Sequence, residues 1–356
     1  MGRGMAVAAR RWLCRRLGDV GLCSTLVLAG SVQPAEWVRA GLDTNQPVWG
    51  LRGGLQLAIY PAGFRGEAGG PRGLIRLGYP VLAGGRYDLV NFLAVEPVVG
   101  GRKGFSELEF SRLDHAQGKR FWSIPAAPAI ETAGVLDSGR LRTVGPGVEE
   151  LAVCLGVEKF DNGAHVRVEV AQRSDVAEEI WLTIRAEPDS APLEYCIFTA
   201  TMGNLVRTRQ LWLQTGTVNS RELYPHYRDT GFCPHTSFPL NRLHVTTAGD
   251  VMVAVTTDEK DPASVFPFPG SRHWYYGGMP VTQYWKKPKG AYRADLHAAV
   301  NARYTYWQSR QPIPGGVAFE NFELRERFFP GQTFVFGITT NAPSHFGFTS
   351  VSKVEP

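Results

Sequence analysis

The chain has 356 residues, of which 44% are hydrophobic and 20% charged, enough apolar material for a substantial core in one large domain or two smaller ones. Its formal net charge of +5 is concentrated at the start: residues 1–35 hold five Arg and one Asp, so the remainder carries +1. A nearly neutral body lacks the basic stripe that nucleic-acid binding needs, and that class of partner is disfavoured.

Residues 1–35 read as an export signal. Arg10, Arg11, Arg15 and Arg16 form a basic region, a short apolar stretch follows, and Val32-Gln33-Pro34-Ala35 fits a small-x-small cleavage site with the cut after Ala35. The apolar run is too short for a membrane span. The expected location is therefore periplasmic or extracellular, with residues 36–356 as a single large β domain.

Residues 46–105 alternate Gly-rich turns with strand-like runs and predict a meander of three or four strands. Residues 131–150, rich in small and polar residues, are the softest place for a domain boundary. Period-two alternation then predicts strands over 165–170, 180–185, 251–255 and 333–338. Only residues 291–302, containing ADLHAAVNAR, have the composition of a short helix. The expected fold is all-β, a large antiparallel two-sheet sandwich of supersandwich or jelly-roll type with little helix. Beyond residue 35, Cys154, Cys196 and Cys233 allow at most one disulfide. No spacing argues for a metal, and no glycine pattern for a phosphate-cradling loop, so no cofactor is expected.

Gly-x-Ser-x-Gly, His-Glu-x-x-His and Cys-x-x-Cys are all absent, so an active site would be assembled from scattered strands. His226 and His235 flank YPHYRDTGFCPH, an ordered-looking loop, and can pass protons near neutral pH. Arg207 and Arg209 follow a Met202-Gly203-Asn204 turn. If they point inward with Leu205, Leu211 and Leu213, they need acceptors, either a substrate carboxylate or partner Asp and Glu; on the other face they are simply solvated. Glu320 is the late acid of choice. Strict alternation puts Glu323 on the opposite face with Phe319, so the two would pair only across a bulge.

Residues 273–307 pack nine Trp and Tyr residues, among them Trp274, Tyr276, Tyr284 and Trp285, around Gln283, Lys286 and Arg293. Rings with an apolar face and a polar edge suit a sugar, which points to a carbohydrate ligand. Within the tract, Tyr284-Trp285-Lys286-Lys287-Pro288-Lys289-Gly290-Ala291-Tyr292 resembles the Tyr-x-Lys-x-Gly-x-Tyr strand of alginate-lyase-like jelly rolls, with Pro288-Lys289 inserted. The resemblance implies Tyr292 as proton donor and Lys286 or Arg293 as the group that neutralises a uronate. Size, β content, Glu320 and His226 also resemble the galactose-mutarotase-like supersandwich, which implies a His and Glu pair. The expected function is an exported carbohydrate-processing enzyme, a uronate lyase or a mutarotase-like protein or glycoside hydrolase. The alternative is a non-catalytic glycan-binding or envelope protein.

Overall fold

The computed structural model describes residues 35–59, 72–82, 86–124, 136–201, 206–260, 274–275, 280–307 and 309–349. The first strands are β1 (Trp37–Val38), β2 (Val48–Leu51), β3 (Gln56–Ala58), β4 (Leu74–Leu82), β5 (Arg86–Val99) and β6 (Arg102–Lys103). Next come β7 (Phe121–Ile124), β8 (Arg140–Gly145), β9 (Val148–Val157), β10 (Val166–Arg173), β11 (Glu179–Ala186) and β12 (Tyr195–Ala200). They are followed by β13 (Thr208–Leu213), β14 (Gly216–Asn219), β15 (Thr236–Pro239), β16 (His244–Val245) and β17 (Val251–Thr257). The last are β18 (Trp274–Tyr275), β19 (Thr282–Lys287), β20 (His297–Arg303), β21 (Ala318–Arg325) and β22 (Thr333–Thr339).

They form two eleven-stranded sheets packed as a sandwich. One runs β1-β2-β3-β4-β5-β12-β21-β20-β15, with β6 and β18 also on β5. The other runs β14-β13-β17-β19-β22-β11-β10-β9-β7, with β16 on β17 and β8 on β9. The Gly-rich meander is the β2-β3-β4-β5 edge of the first sheet, and the four period-two segments are β10, β11, β17 and β22.

Alternation makes the sandwich. In β10, Val166, Val168 and Val170 are buried while Arg167, Glu169 and Ala171 are half-exposed, so one face packs and the other meets water. Inward residues of both sheets form one continuous core. Trp285 of the second sheet stands 6.5 Å from Phe198 of the first and meets Phe334 edge-on at 6.3 Å. Its indole N–H donates to the Phe322 carbonyl at 2.8 Å, satisfying the one polar atom that ring brings into the core.

Two expectations are corrected. Residues 297–303 are strand β20 and not part of a helix, and residues 291–296 are turns. Ala298, Ala299, Val300 and Ala302 are all buried between β15 and β21, and that double pairing outweighs the helix propensity of alanine. Strict alternation also fails in β21. Val300 pairs with Phe322 but Ala302 pairs with Phe319, so Glu320 and Asn321 together oppose the single residue Asn301. Phe319 and Phe322 therefore both enter the main core, and Glu323 faces away from it. Among the described residues no helix is long and apolar enough to cross a membrane.

Candidate active site on the outer face of the first sheet

The register fixes which side chains meet outside the core. Thr199 of β12 lies opposite Ala94 on one side and Glu323 on the other. Glu96 is two residues along from Ala94 and shares its face. Three polar side chains thus stand together on the outer face, while Phe198, Val95 and Leu324 beneath them belong to the core.

Thr199 Oγ1 is 2.6 Å from Glu96 Oε2 and also hydrogen-bonded to Glu323 Oε2. A hydroxyl has one proton to give, so two ionised carboxylates cannot both receive it. Lys103 supplies a further donor to the same Glu96 oxygen. Burial pushes the Glu96 carboxyl up, and neighbouring Glu323 adds to that, against the attraction of Lys103. Glu323 is also desolvated, but Lys103, Arg325, the Thr199 hydroxyl and His235 outweigh burial and hold it below the ordinary range. The two carboxyls are thus pushed in opposite directions around one shared hydroxyl, Glu96 up and Glu323 down.

Cations and a histidine form the rim. Lys103 pairs with Glu96, and Arg325 Nε reaches Glu323 Oε1 at 2.5 Å. His235, at the start of β15, has Nε2 3.8 Å from Glu323 Oε1 and 3.4 Å from the Asn301 amide nitrogen. Both carboxylates are sealed, whereas the His235 side chain is 34% exposed. Burial lowers the His235 pKa, with Glu323 opposing, so the imidazole is neutral at pH 7. Glu107, in the turn after β6, completes the group. Burial, reinforced by Glu96, pushes its carboxyl up to about 8. Its Oε2 is enclosed without a hydrogen-bond partner among the described residues. His235 stands at the Glu323 end of this hydrogen-bond chain, 3.8 Å from Oε1.

The other expected site residues are dispersed. Glu320 is buried in the bulge three residues from Glu323, so the two acids fall on the outer side together, contrary to strict alternation. His226 is exposed in the loop beyond β14. Arg207 precedes β13 with φ of 52° and pairs with Glu259 at 3.1 Å. Arg209 is fully buried on the inward face of β13, bonded to Asp258 at 3.3 Å, to Glu259, and to carbonyls of 314–317. The acceptors of both arginines come from the chain.

The aromatic tract is mostly structural where it is described. Gln283 and Trp285 lie in the core, and the Gln283 side chain bonds to Asn91 of the facing sheet. Tyr284 and Lys286 face outward from the second sheet, and both bond to Glu179, at 2.9 and 2.5 Å. Tyr292 is half-buried against the core, and Arg293 is exposed with its backbone N–H on Glu326. Trp274 pairs with Tyr87 through backbone in β18, and Tyr276 lies outside the described residues. Cys154, Cys196 and Cys233 are free thiols. Among the described residues no cluster of three or more His, Cys, Asp or Glu could hold a metal ion.

Glu96, Thr199, Lys103 and Arg325 carry no motif. The one readable signal is Glu96 itself, a lone acid inside the apolar run LVNFLAVEPVV. No protein-family model and no curated protein matches this chain.

Proposed function

We propose that this chain is an exported carbohydrate-processing enzyme that works by acid–base chemistry on a neutral sugar, with His235 as base and Glu107 as acid. The observation that carries the reading is the Thr199 hydroxyl shared by Glu96 and Glu323, two acids whose surroundings push them in opposite directions. Pairs of titratable groups pushed apart by their surroundings mark acid and base roles.

In this scheme the neutral His235 ring takes a proton from a sugar hydroxyl or an attacking water, and Glu323, 3.8 Å from Nε2, stabilises the imidazolium as it forms. Glu107, still protonated at pH 7, gives its proton to the departing ring or bridging oxygen. Glu96 and Thr199 fix Glu323, which faces His235. Of the cations expected to meet a uronate, Lys286 is bonded to Glu179 and Arg207 and Arg209 to Glu259, while Arg293 stays exposed. The preference for mutarotation or hydrolysis over uronate elimination rests on the acid and base.

The test is a panel of neutral and uronate saccharides with the protein lacking residues 1–35, following optical rotation, reducing ends and ultraviolet absorbance. Turnover of a neutral sugar, lost in His235→Gln and Glu107→Gln, is expected. Unsaturated products from a uronate, formed equally well by both variants, would overturn the reading.

A further inference from the structure

The opposite outer face holds a cleft of about 1230 Å³ that the acid–base chemistry does not use. Its floor is the solvent face of β9, β10, β11 and β22, and the β8–β9 hairpin forms one wall. Four strands span about 14 Å at ordinary ladder spacing.

Trp181 lies in the floor, half-exposed. Across the ladder it faces Ala171, which in turn faces Ala152. Two methyl groups beside an indole leave it bare along that row, so the floor is an aromatic shelf with open space next to it. One row further, Thr183 and Thr333 add hydroxyls 2.8 Å apart.

Five arginines and three acids line the cleft, and most of the arginines have partners: Arg167 pairs with Glu187 at 3.4 Å, while Arg140 has no ion pair among the described residues. Arg142 is bonded to Glu150 at 2.8 Å through Nε, Arg173 to Asp175 and Arg185 to Glu169. Arg39 donates to Ser138 and Gly139. A trough for a polyanion would present a row of unpaired cations, whereas here most donors and acceptors already have partners beside an apolar shelf, which matches a ligand of hydroxyls and C–H faces.

We infer that this cleft binds a neutral oligosaccharide chain as a site separate from the Glu96–Thr199–Glu323 group. The ligand class rests on the proposed function; the location does not. The chain would lie across β9, β10, β11 and β22 with one ring on Trp181.

The test is isothermal titration of the protein with gluco-, manno-, xylo- and galacto-configured neutral hexasaccharides and with oligouronates of the same length. At least one neutral hexasaccharide should bind. Trp181→Ala should weaken it at least tenfold, and Ala171→Gln, which fills the space beside the indole without removing it, should do the same. Thermal melts identify any variant that fails to fold. Glu323→Gln should leave this affinity unchanged. Binding that survives both cleft variants, binding of oligouronates alone with steep salt dependence, or no binding of any panel member would overturn the inference. Loss of turnover in Glu323→Gln with cleft binding intact separates the two sites, and unchanged turnover in that variant sinks the proposed chemistry while leaving the cleft standing.

Discussion

Gly337 lies beneath the ring of Tyr284. The two are register partners on β22 and β19, and a Cβ built on Gly337 would come 2.0 Å from Tyr284 Cζ. The missing side chain lets the phenol lie flat across the strand and deliver its hydroxyl to Glu179 at 2.9 Å. Gly337→Ala should therefore destabilise the fold by about 1–3 kcal/mol through overpacking, read as a lower urea midpoint with an unchanged slope. The double variant Gly337→Ala with Tyr284→Ala should lose less than the two single effects combined.

Arg209 closes one end of the sandwich by holding Asp258, Glu259 and the carbonyls before β21. Arg209→Met removes the buried guanidinium, but Glu259 keeps Arg207 and Asp258 keeps Arg221. The loss in chemical denaturation should therefore fall below the ~3–5 kcal/mol of an unpaired buried charge. Arg209→Lys should recover only part, because an ammonium cannot span several acceptors as a fork does.

Glu107 gives the fold a pH dependence of known sign. Folded, it keeps its proton to about pH 8, while its ordinary value is 4.5. Between those limits the folded chain binds more protons than the unfolded one, so its contribution is full below about pH 4.5 and is lost as pH rises toward 8. The urea midpoint should fall from pH 5 to pH 8, and Glu107→Gln should flatten that slope. An unaltered slope in the variant would remove Glu107 as its source.

Thr199→Val keeps the shape of the side chain and deletes the shared hydroxyl. As Thr199 is a positioning residue, kcat on a neutral sugar should fall with KM nearly unchanged, and the pH–rate profile should shift as Glu96 and Glu323 lose their common partner. Loss of the proposed base in His235→Gln should cost more, about 100–10,000-fold in kcat.

The architecture was legible because period-two burial leaves a direct imprint, as in Val166, Val168 and Val170. Residues 291–302 misled because a strand buried on both faces by small residues has no alternation to read, and its alanines look helical. The site was legible only in part. His235 stands out as a histidine in an ordered loop, but its partner Glu323 was hidden by the bulge, which shifts the face without changing composition. The aromatic tract was ambiguous for a related reason. Trp285 and Tyr284 are adjacent in sequence and face opposite sides of one sheet, one to the core and the other to Glu179.

The extra residue opposite Asn301 makes the length of β21 decide which of its side chains face the core. Deleting either Glu320 or Asn321 would restore even pleating, and everything beyond would turn over: Glu323 and Arg325 on one side would exchange places with Phe322 and Leu324 on the other. Substitutions there cost one contact each, but a shortened strand would drive a carboxylate into hydrocarbon and strip the histidine of its partner in one step. Drift along this lineage should accordingly change residues within 318–325 while preserving their number, and save insertions and deletions for the turns on either side.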